Sequence, residues 1–290
     1  MSLFSGRYIR AYIELVRPFT AFPPFFAVVL GAIGGALYTN SHIYIITLLY
    51  AGLAMVFAQV FGQITNQLAD PIELDKINNK ERALVRGDIP RDSVRLIAVA
   101  FLIAAIGFSL QVSILYTSLV LITVLSGVIY NYEPFRLKRR FILNNLILAF
   151  SRGYIPFVAA WCVFSPIETI THLYAIGLFI WVLGWQTTKD IPDVKGDALY
   201  GIRTFPVVWG IHNTVKYMLV MTFIFVMYHV AIGMFDIALG YTALVAISRK
   251  DITAKSFTEN NKGWVVFYGG IVLYYVIVII HQVLGSLLAS

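Results

Sequence analysis

Long apolar runs recur along the whole chain, and nine of them approach the ~20 residues that an α-helix needs to cross a bilayer. They cover residues 18–38, 43–65, 93–110, 112–131, 142–163, 170–188, 214–234, 236–249 and 264–287, of which the eighth is the shortest. The chain is 59% hydrophobic and only 13% charged, whereas a soluble domain is about 45–50% apolar and about 25% charged. The sequence therefore predicts an all-α polytopic membrane protein, a bundle of about nine transmembrane helices.

Lysine and arginine residues gather at alternate ends of these runs. Of the 22 in the chain, all except Arg152 precede the first run or lie near the loops that follow the second, fourth, sixth and eighth. The positive-inside rule places such loops in the cytoplasm. With an odd number of spans, we expect a cytoplasmic N-terminus, cytoplasmic active-site loops and a C-terminus outside. There is no nucleic-acid motif, so we expect no nucleic-acid partner despite the net charge of +7.

Two acidic clusters follow apolar runs on the predicted cytoplasmic side. In the first, Asn66 and Asp70 are four positions apart and would share one face of a helix. In the second, Asp190, Asp193 and Asp197 have the spacing i, i+3 and i+7, which again places them on one face. Carboxylates grouped in this way repel one another unless a cation joins them, and their hard oxygen ligands fit Mg²⁺.

Basic residues interleave with both clusters and would balance the remaining charge of a phosphate. They are Lys76, Lys80, Arg82, Lys189, Lys195 and Arg203. Mg²⁺ commonly binds one or two carboxylates and completes its shell with water and substrate phosphates. Such a site above an apolar bundle predicts a substrate with a diphosphate head and a hydrocarbon tail, such as a polyprenyl diphosphate. Solvated loop charges are the alternative, but they do not account for two clusters on the same side.

The clusters also indicate how the chain is organised. Four predicted spans separate them, which suggests two four-helix halves plus a ninth helix. We expect residues 1–290 to form a single integral-membrane domain, with the long cytoplasmic loops 66–92 and 189–213 capping the site. Residues 1–14 predict a helix at the membrane surface rather than a cleavable leader. The single cysteine, Cys162, is expected to be a packing residue.

The two clusters resemble the motifs of the UbiA superfamily of intramembrane prenyltransferases. The first motif of that family is matched by Asn66, Asp70, Asp75, Asn78 and Arg82. The second, Lys-Asp-x-x-Asp-x-x-Gly-Asp followed by Gly-Ile-x-Thr-x-Pro, is matched by Lys189, Asp190, Asp193, Gly196, Asp197, Gly201, Ile202, Thr204 and Pro206. Arg17-Pro18, residues 132–138 and Asn145 also look like segments of the family. The resemblance covers almost the whole chain and implies a nine-helix fold with a lateral opening to lipid.

The resemblance implies an enzyme that ionises a polyprenyl diphosphate and passes the allylic cation to a membrane-associated acceptor. The expected Mg²⁺ ligands are Asn66, Asp70, Asp193 and Asp197, with Asp75 and Asp190 in support. The residues expected to contact the diphosphate are Asn66, Arg82, Lys138, Lys189, Lys195, Arg17 and Arg152. The residues expected to be catalytic are Asp70 and Asp193, through the metal, and Tyr130 and Tyr132, whose π-faces can stabilise a cation.

Some of these side chains have an ordinary alternative role. Tyrosines are common at membrane interfaces, which accounts equally well for Tyr130 and Tyr132. Arg152 lies about ten residues into the predicted fifth span. It is either a snorkelling side chain or a phosphate or acceptor contact that faces a cavity. Arg17 and Lys138 have the same two interpretations.

The third acid of the first motif is ambiguous. The family usually places it four residues after Asp70, where this chain has Leu74. Asp75 fits the motif with a one-residue insertion. On an unbroken helix, Glu73 would instead share the face of Asp70. Pro71 disfavours a helical conformation at the residue before it, and this favours Asp75 while leaving Glu73 as the alternative.

The second motif looks most like that of members acting on aromatic acceptors, which favours an aromatic quinone precursor. Geranylgeranyl transfer to a glycerol-phosphate ether lipid, as in archaeal-type lipid synthesis, is the alternative, and a tetrapyrrole is a further one. A transporter is the non-enzymatic alternative, although its charges would be expected near the bilayer midplane. Phosphatidyl-transfer enzymes carry an Asp-Gly-x-x-Ala-Arg signature that this sequence lacks.

Overall fold

The computed structural model describes residues 6–78, 80, 82–253, 255, 257 and 262–289. Within these residues the chain is helical and contains no strand. The helices are α1 (Gly6–Val16), α2 (Pro18–Thr39), α3 (Ile45–Ala69), α4 (Ile72–Ile77), α5 (Ala83–Arg86), α6 (Arg91–Leu110), α7 (Ile114–Asn131), α8 (Leu143–Ala149), α9 (Ile155–Trp161), α10 (Thr169–Trp185), α11 (Val194–Leu199), α12 (Phe205–Ala231), α13 (Phe235–Ser248) and α14 (Lys262–Ala289). The predicted all-α membrane class is confirmed.

The predicted count of nine spans is not confirmed. Among the described residues, seven helical segments are long and apolar enough to cross a bilayer, and these correspond to all predicted spans except the fifth and the eighth. The fifth is divided into α8, a π-helical turn at Phe150–Tyr154 and α9. The eighth is α13, whose 14 residues extend only roughly 21 Å at 1.5 Å per residue, against ~30 Å for the hydrocarbon core of a bilayer.

The long helices form a closed bundle. Neighbours along the chain pack against each other from α2 through α3, α6, α7, α9, α10, α12 and α13 to α14, and α14 returns to contact α2. Aromatic side chains such as Trp161, Trp181 and Tyr174 are fully buried in the interior. Leu96 and Ile114 are more than 70% exposed. An apolar outer surface of this kind suits a chain whose solvent is lipid.

The closest helix contacts in the bundle depend on small residues. At Gly35 of α2, a β-carbon would lie 2.7 Å from the carbonyl oxygen of Trp161 in α9. At Gly31, one turn earlier, it would lie 2.6 Å from the β-carbon of Ala160. Glycine lets membrane helices approach until their backbones touch, and dispersion then replaces the hydrophobic drive that lipid removes.

Two capping segments, one between α3 and α6 and the other between α10 and α12, meet over one end of the bundle. α3 ends at Asp70, which is extended with φ −83° and ψ 141°, so Pro71 does break the helix there. The next segment, α4, packs against α11 of the second capping segment. The backbone N–H of Gly196 donates to Asn78 Oδ1 at 3.0 Å, and any β-carbon at Gly196 would lie 2.2 Å from that oxygen.

The predicted N-terminal helix forms as α1. Its residues Ala11 and Leu15 are buried, and it packs on α2, α3 and α5. Glu14 pairs with Arg86, in α5 of the first capping segment, at 2.5 Å. The helix therefore supports the loop that carries the first acidic cluster, and its position at the membrane surface stays a prediction.

The contact between α2 and α9 leads to a stability prediction. Gly35→Val should lower the thermal unfolding midpoint of the detergent-purified protein, because overpacking a tight contact costs about 1–3 kcal/mol. Gly107→Ala in α6 is the matched control, since no atom lies within 4 Å of a β-carbon there. The measurement is thermal unfolding monitored with a dye. Equal unfolding midpoints for the two variants would contradict the packing argument.

Candidate active site

A cavity of about 390 Å³ lies under the capping segments. It opens at the end of the bundle where α2 begins and where α3, α7 and α10 finish. Eleven of the predicted site residues, together with Asn78 of the first motif, line it. They are Arg17, Asn66, Asp70, Asp75, Asn78, Arg82, Tyr130, Lys138, Lys189, Asp190, Asp193 and Asp197. Arg152 lines it as well. The two acidic clusters therefore face one space, although about 120 residues of sequence separate them.

The end of α3 orients the first part of the first cluster. Asn66, in the last turn, donates from Nδ2 to Asn131 Oδ1 of α7 at 2.8 Å. Asp70 accepts a hydrogen bond from the ammonium group of Lys138, a buried lysine on the 3₁₀ turn Leu137–Arg139. Burial lowers the pKa of Lys138, and the charge of Asp70 opposes that shift. The pair thus holds its two charges together at the mouth of the cavity.

After the break at Pro71 the two candidates for the third acid both lie on α4, but they differ in burial. Asp75 is 4% exposed, lines the cavity and pairs with Arg82 at 2.7 Å. Burial raises the pKa of its carboxyl group, against the attraction of Arg82. Glu73 is exposed and does not line the cavity. The geometry therefore favours Asp75 over Glu73.

The second cluster is not one continuous helix. A 3₁₀ turn, Gln186–Asp190, is followed by a short turn and then by α11, yet all three acids face the cavity. Asp190 accepts hydrogen bonds from Lys189 at 2.5 Å and from Asn144 Nδ2 at 3.3 Å. Asp193 pairs with Lys80 of the first capping segment at 2.5 Å. This ion pair links the two segments across the cavity.

Asp197 differs from the other acids. It is 7% exposed, and its carboxyl group has no hydrogen-bond partner among the residues that the structure describes. Burial, together with the neighbouring Asp190 and Asp193, raises its pKa to about 7. A buried carboxyl group that repels two other acids is a place where a bound cation would be most stabilising.

Two further basic residues lie on the cavity wall. Arg17 is the N-terminal cap of α2 and has the left-handed φ of 51°. Burial, helped by repulsion from Arg82, lowers its pKa to about 10. Lys189 donates to the hydroxyl of Tyr130 at 3.1 Å and lies 5.7 Å from the centre of its ring. Tyr130 is thereby placed beside the second acidic cluster.

Two residues expected at the site do not line this cavity. The hydroxyl of Tyr132, a partly exposed residue, donates to the carbonyl oxygen of Thr65 at 3.3 Å. It caps the end of α7, where the chain leaves the helix and turns it away from Tyr130. Lys195 is exposed on α11, because the helix presents Asp197 rather than Lys195 to the interior.

A smaller cavity, of about 80 Å³, continues from the first into the bundle. The two share the lining residues Thr20, Gln59, Thr123, Ser151, Arg152 and Tyr268. The smaller cavity is otherwise mainly apolar, with walls that include Met55, Pro156 and Ile271. Polar chemistry at the end of the bundle therefore gives way to an apolar interior.

Three polar residues of the site were not expected from the motifs: Gln63 and Asn131 line the cavity, and Asn144 contacts Asp190. Asn131 and Asn144 orient Asn66 and Asp190, and Gln63 accepts a hydrogen bond from Thr20 at 3.0 Å. Each lies in or beside a predicted span, where a polar side chain needs a reason to be present. The sequence shows these polar residues in or beside apolar runs, but it does not show which residues they contact.

The donor set fits a hard divalent cation, although it is not assembled as a metal cage. Within the described part of the chain, no group of three or more acidic, histidine or cysteine side chains is arranged to hold a metal ion. Asp70, Asp75, Asp190 and Asp193 are instead each held by a lysine or an arginine. The carboxylate and amide oxygens that face the cavity are the hard donors that suit Mg²⁺.

The sequence matches the UbiA prenyltransferase family over residues 26–262, and the chain belongs to that family. It is an enzyme of the transferase class, an integral membrane prenyltransferase of isoprenoid metabolism. Family membership removes the transporter alternative.

Its curated relatives differ in the acceptors that their names imply. A digeranylgeranylglyceryl phosphate synthase of Sulfurisphaera tokodaii is 30% identical over 210 residues, which cover 71% of this chain and 72% of that protein. The bacteriochlorophyll synthase 34 kDa chain of Chloroflexus aurantiacus is 29% identical over 205 residues, 68% of this chain and 64% of that one. A probable homogentisate phytyltransferase 2 of Oryza sativa is 33% identical, over 57% of this chain and 45% of that protein.

Solved structures share the fold. A UbiA homologue from Archaeoglobus fulgidus bound to DMAPP and Mg²⁺ has a TM-score of 0.70 with 18% identity, covering 93% of this chain and 99% of that one. A homologue from Aeropyrum pernix K1 has a TM-score of 0.67 and 18% identity, over 89% of this chain and 97% of that one. At this identity the likeness concerns the fold alone.

The two candidate third acids can be separated by a matched pair of variants. Asp75→Asn should weaken Mg²⁺-dependent binding of geranylgeranyl diphosphate by roughly 10- to 100-fold, because it removes a buried charge that Arg82 and a cation both need. Glu73→Gln should leave binding unchanged. Calorimetric titration of both purified variants gives the comparison, and the reverse order of effects would assign the third acid to Glu73.

Proposed function

We propose that this enzyme transfers a polyprenyl group from a polyprenyl diphosphate to a membrane-associated acceptor, in a reaction that requires Mg²⁺. The observation that carries the proposal is the convergence of both acidic clusters, with their basic partners, on one cavity at the end of an apolar bundle. The cavity combines a charged mouth with an apolar interior, as a diphosphate attached to a hydrocarbon tail requires.

The donor would bind with its diphosphate among the charged residues. Asn66, Asp70, Asp193 and Asp197 would hold Mg²⁺, with Asp75 and Asp190 in support. Bound there, the metal would supply Lewis-acid polarisation of the leaving group. Lys138, Lys189 and Lys80 pair with Asp70, Asp190 and Asp193, and their ammonium groups would also attract the phosphate oxygens of the donor. Arg82 and Arg17 add to the same field.

The chemical step exchanges one bond for another. The bond between C1 of the prenyl chain and the diphosphate oxygen breaks, and its electron pair leaves with the diphosphate. A nucleophilic carbon or oxygen of the acceptor forms a bond to C1, and the acceptor gives up one proton to the released diphosphate. Tyr130, held by Lys189, offers its ring to the developing allylic cation. The apolar wall excludes water, which would otherwise capture that cation.

Tyr132 and Lys195 have a weaker case than the other predicted residues. Neither lines the cavity, so a role for Tyr132 in cation stabilisation or for Lys195 at the diphosphate would need a rearrangement of the capping segments. We therefore centre the proposal on Tyr130 and Lys189.

We propose an aromatic quinone precursor as the acceptor, because the second motif looks most like that of family members acting on aromatic acceptors. The second candidate is geranylgeranyl transfer to a glycerol-phosphate ether lipid. It is supported by relatives named digeranylgeranylglyceryl phosphate synthase, at 29% and 30% identity. Incubating membranes with labelled geranylgeranyl diphosphate and a panel of acceptors, and weighing the lipid product by mass spectrometry, would decide between them.

The metal assignment makes a direct prediction. Asp70→Ala or Asp193→Ala should reduce prenyl transfer by roughly 100-fold or more, because the leaving diphosphate loses the cation that stabilises its charge. The measurement is transfer in isolated membranes at saturating Mg²⁺. Asp92→Ala is the matched control, since Asp92 is 86% exposed and pairs only with Arg95 among the described residues. Full activity in either variant of the cavity would contradict the assignment.

The orientation in the membrane is also a proposal. The distribution of basic residues supports a cytoplasmic N-terminus, cytoplasmic active-site loops and an outside C-terminus. Fusion of a fluorescent protein that folds only in the cytoplasm should give signal at the N-terminus and none at the C-terminus. A phosphatase reporter that is active only outside should give the opposite pattern, and signal from the cytoplasmic reporter at both ends would reject an odd number of spans.

A further inference from the structure

Arg152 is unlike the other basic residues of the cavity. It lies in the middle of the segment formed by α8, the π turn and α9, whereas the others lie at helix ends or in capping segments. It makes no ion pair with any residue that the structure describes. The one hydrogen bond described for its side chain is a long one from Nη1 to Gln186 Oε1, at 3.4 Å. An unpaired cation inside a membrane bundle is costly and calls for a function.

The backbone is built to present this side chain. Arg152 is the central residue of the π turn Phe150–Tyr154, and such turns occur frequently at functional sites. The turn is seated against α10, because a β-carbon at Gly153 would lie 3.0 Å from the carbonyl oxygen of Leu178. This close contact carries Arg152 towards Gln186, which directly follows α10, and towards the junction of the two cavities.

Gln186 adds a second donor that lacks a partner. The residue is fully buried, and its Nε2 makes no hydrogen bond in the described part of the chain. Leaving a buried amide donor unpaired costs about 1–3 kcal/mol. A guanidinium group and an amide N–H that face the same junction fit a ligand with two acceptor oxygens on one group. A carboxylate has this form, and it pairs with arginine through two parallel hydrogen bonds.

The charges of the two cavities separate this ligand from a diphosphate. Arg152 is the only lysine, arginine, aspartate or glutamate among the described residues that line the smaller cavity. The larger cavity instead has three lysines and two further arginines, Lys80, Lys138, Lys189, Arg17 and Arg82. A diphosphate, with its several charges, suits the larger set. One guanidinium group suits a single negative charge.

We propose that Arg152, together with Gln186, binds a carboxylate of the prenyl acceptor and so selects which acceptor is used. This inference rests on the proposed prenyl transfer and assigns Arg152 to the acceptor rather than to the diphosphate, which was the contact expected from the sequence. An acceptor anchored at the junction extends towards Tyr130 and the charged residues, where C1 of the donor lies. Thr123 and Ser151, which line both cavities, provide hydroxyl groups beside it.

The test compares two acceptors that differ by one charge. 4-Hydroxybenzoate and its methyl ester share a ring and a phenol, and only the first carries a carboxylate. With geranylgeranyl diphosphate and Mg²⁺, the natural enzyme should prenylate the acid and discriminate against the ester. Arg152→Gln should raise the KM for the acid by roughly 10- to 100-fold, the loss of a charge-assisted hydrogen bond. It should leave the KM for the donor unchanged, and Arg152→Lys should recover part of the effect.

Controls separate this role from a structural one. Arg10→Gln removes an arginine whose side chain is 81% exposed, and it should leave both KM values unchanged. Calorimetric titration of 4-hydroxybenzoate without donor should show binding to the natural protein and its loss in Arg152→Gln. An unchanged thermal midpoint and an unchanged KM for the donor would show that Arg152→Gln still folds.

Each contrary result has a distinct meaning. Equal increases in the KM for the donor and for the acid would assign Arg152 to the diphosphate and overturn the inference, as would equal use of the acid and the ester. An Arg152-dependent reaction with geranylgeranylglyceryl phosphate, but none with the acid, would replace the carboxylate by a phosphate. Failure to bind geranylgeranyl diphosphate would overturn the proposed function, whereas failure to bind 4-hydroxybenzoate alone would overturn only this inference.

Discussion

Repulsion among buried carboxylates is the constraint on which the site depends. Asp190, Asp193 and Asp197 line the same cavity, and burial together with its two acidic neighbours raises the pKa of Asp197 to about 7. Lysines and arginines reduce that cost, and each acid except Asp197 has such a partner in the described residues. One of these pairs, Lys80 with Asp193, links the two capping segments across the cavity. A divalent cation with a diphosphate would satisfy both sets of charges at once.

The bundle places this charged mouth next to an apolar interior. Glycine contacts bring α2 against α9, and a large cavity lies under the caps with a smaller one continuing into the bundle. The smaller cavity is mainly apolar, and in the proposed reaction its wall would keep water away from a cation formed at the mouth. Arg152 stands at the boundary between the two regions, and its position divides the charged donor end from the site proposed for the acceptor.

Much of this arrangement was predictable, because it follows from local pattern. The apolar runs predicted the helical class, and Pro71 predicted the helix break that precedes Glu73 and Asp75. The predicted count of nine spans was not confirmed, because hydropathy does not reveal the π turn in the fifth run, and the eighth run, already the shortest, forms a helix of only 14 residues. Tyr132 and Lys195 share a motif with residues that do face the cavity, but side-chain direction at the end of a helix depends on how the chain leaves it.

By itself, the sequence determined the membrane environment, the helical class, the two acidic clusters and their shared side of the membrane. Those properties depend on residue composition and on spacing along a helix, which are local. Only the tertiary structure decided which lysine neutralises which acid, that Asp197 has no partner among the described residues, and that Arg152 lies at the junction with Gln186. These properties depend on contacts between residues far apart in the chain. The energy of an ion pair falls with the distance between its charges, and only the packed structure sets that distance.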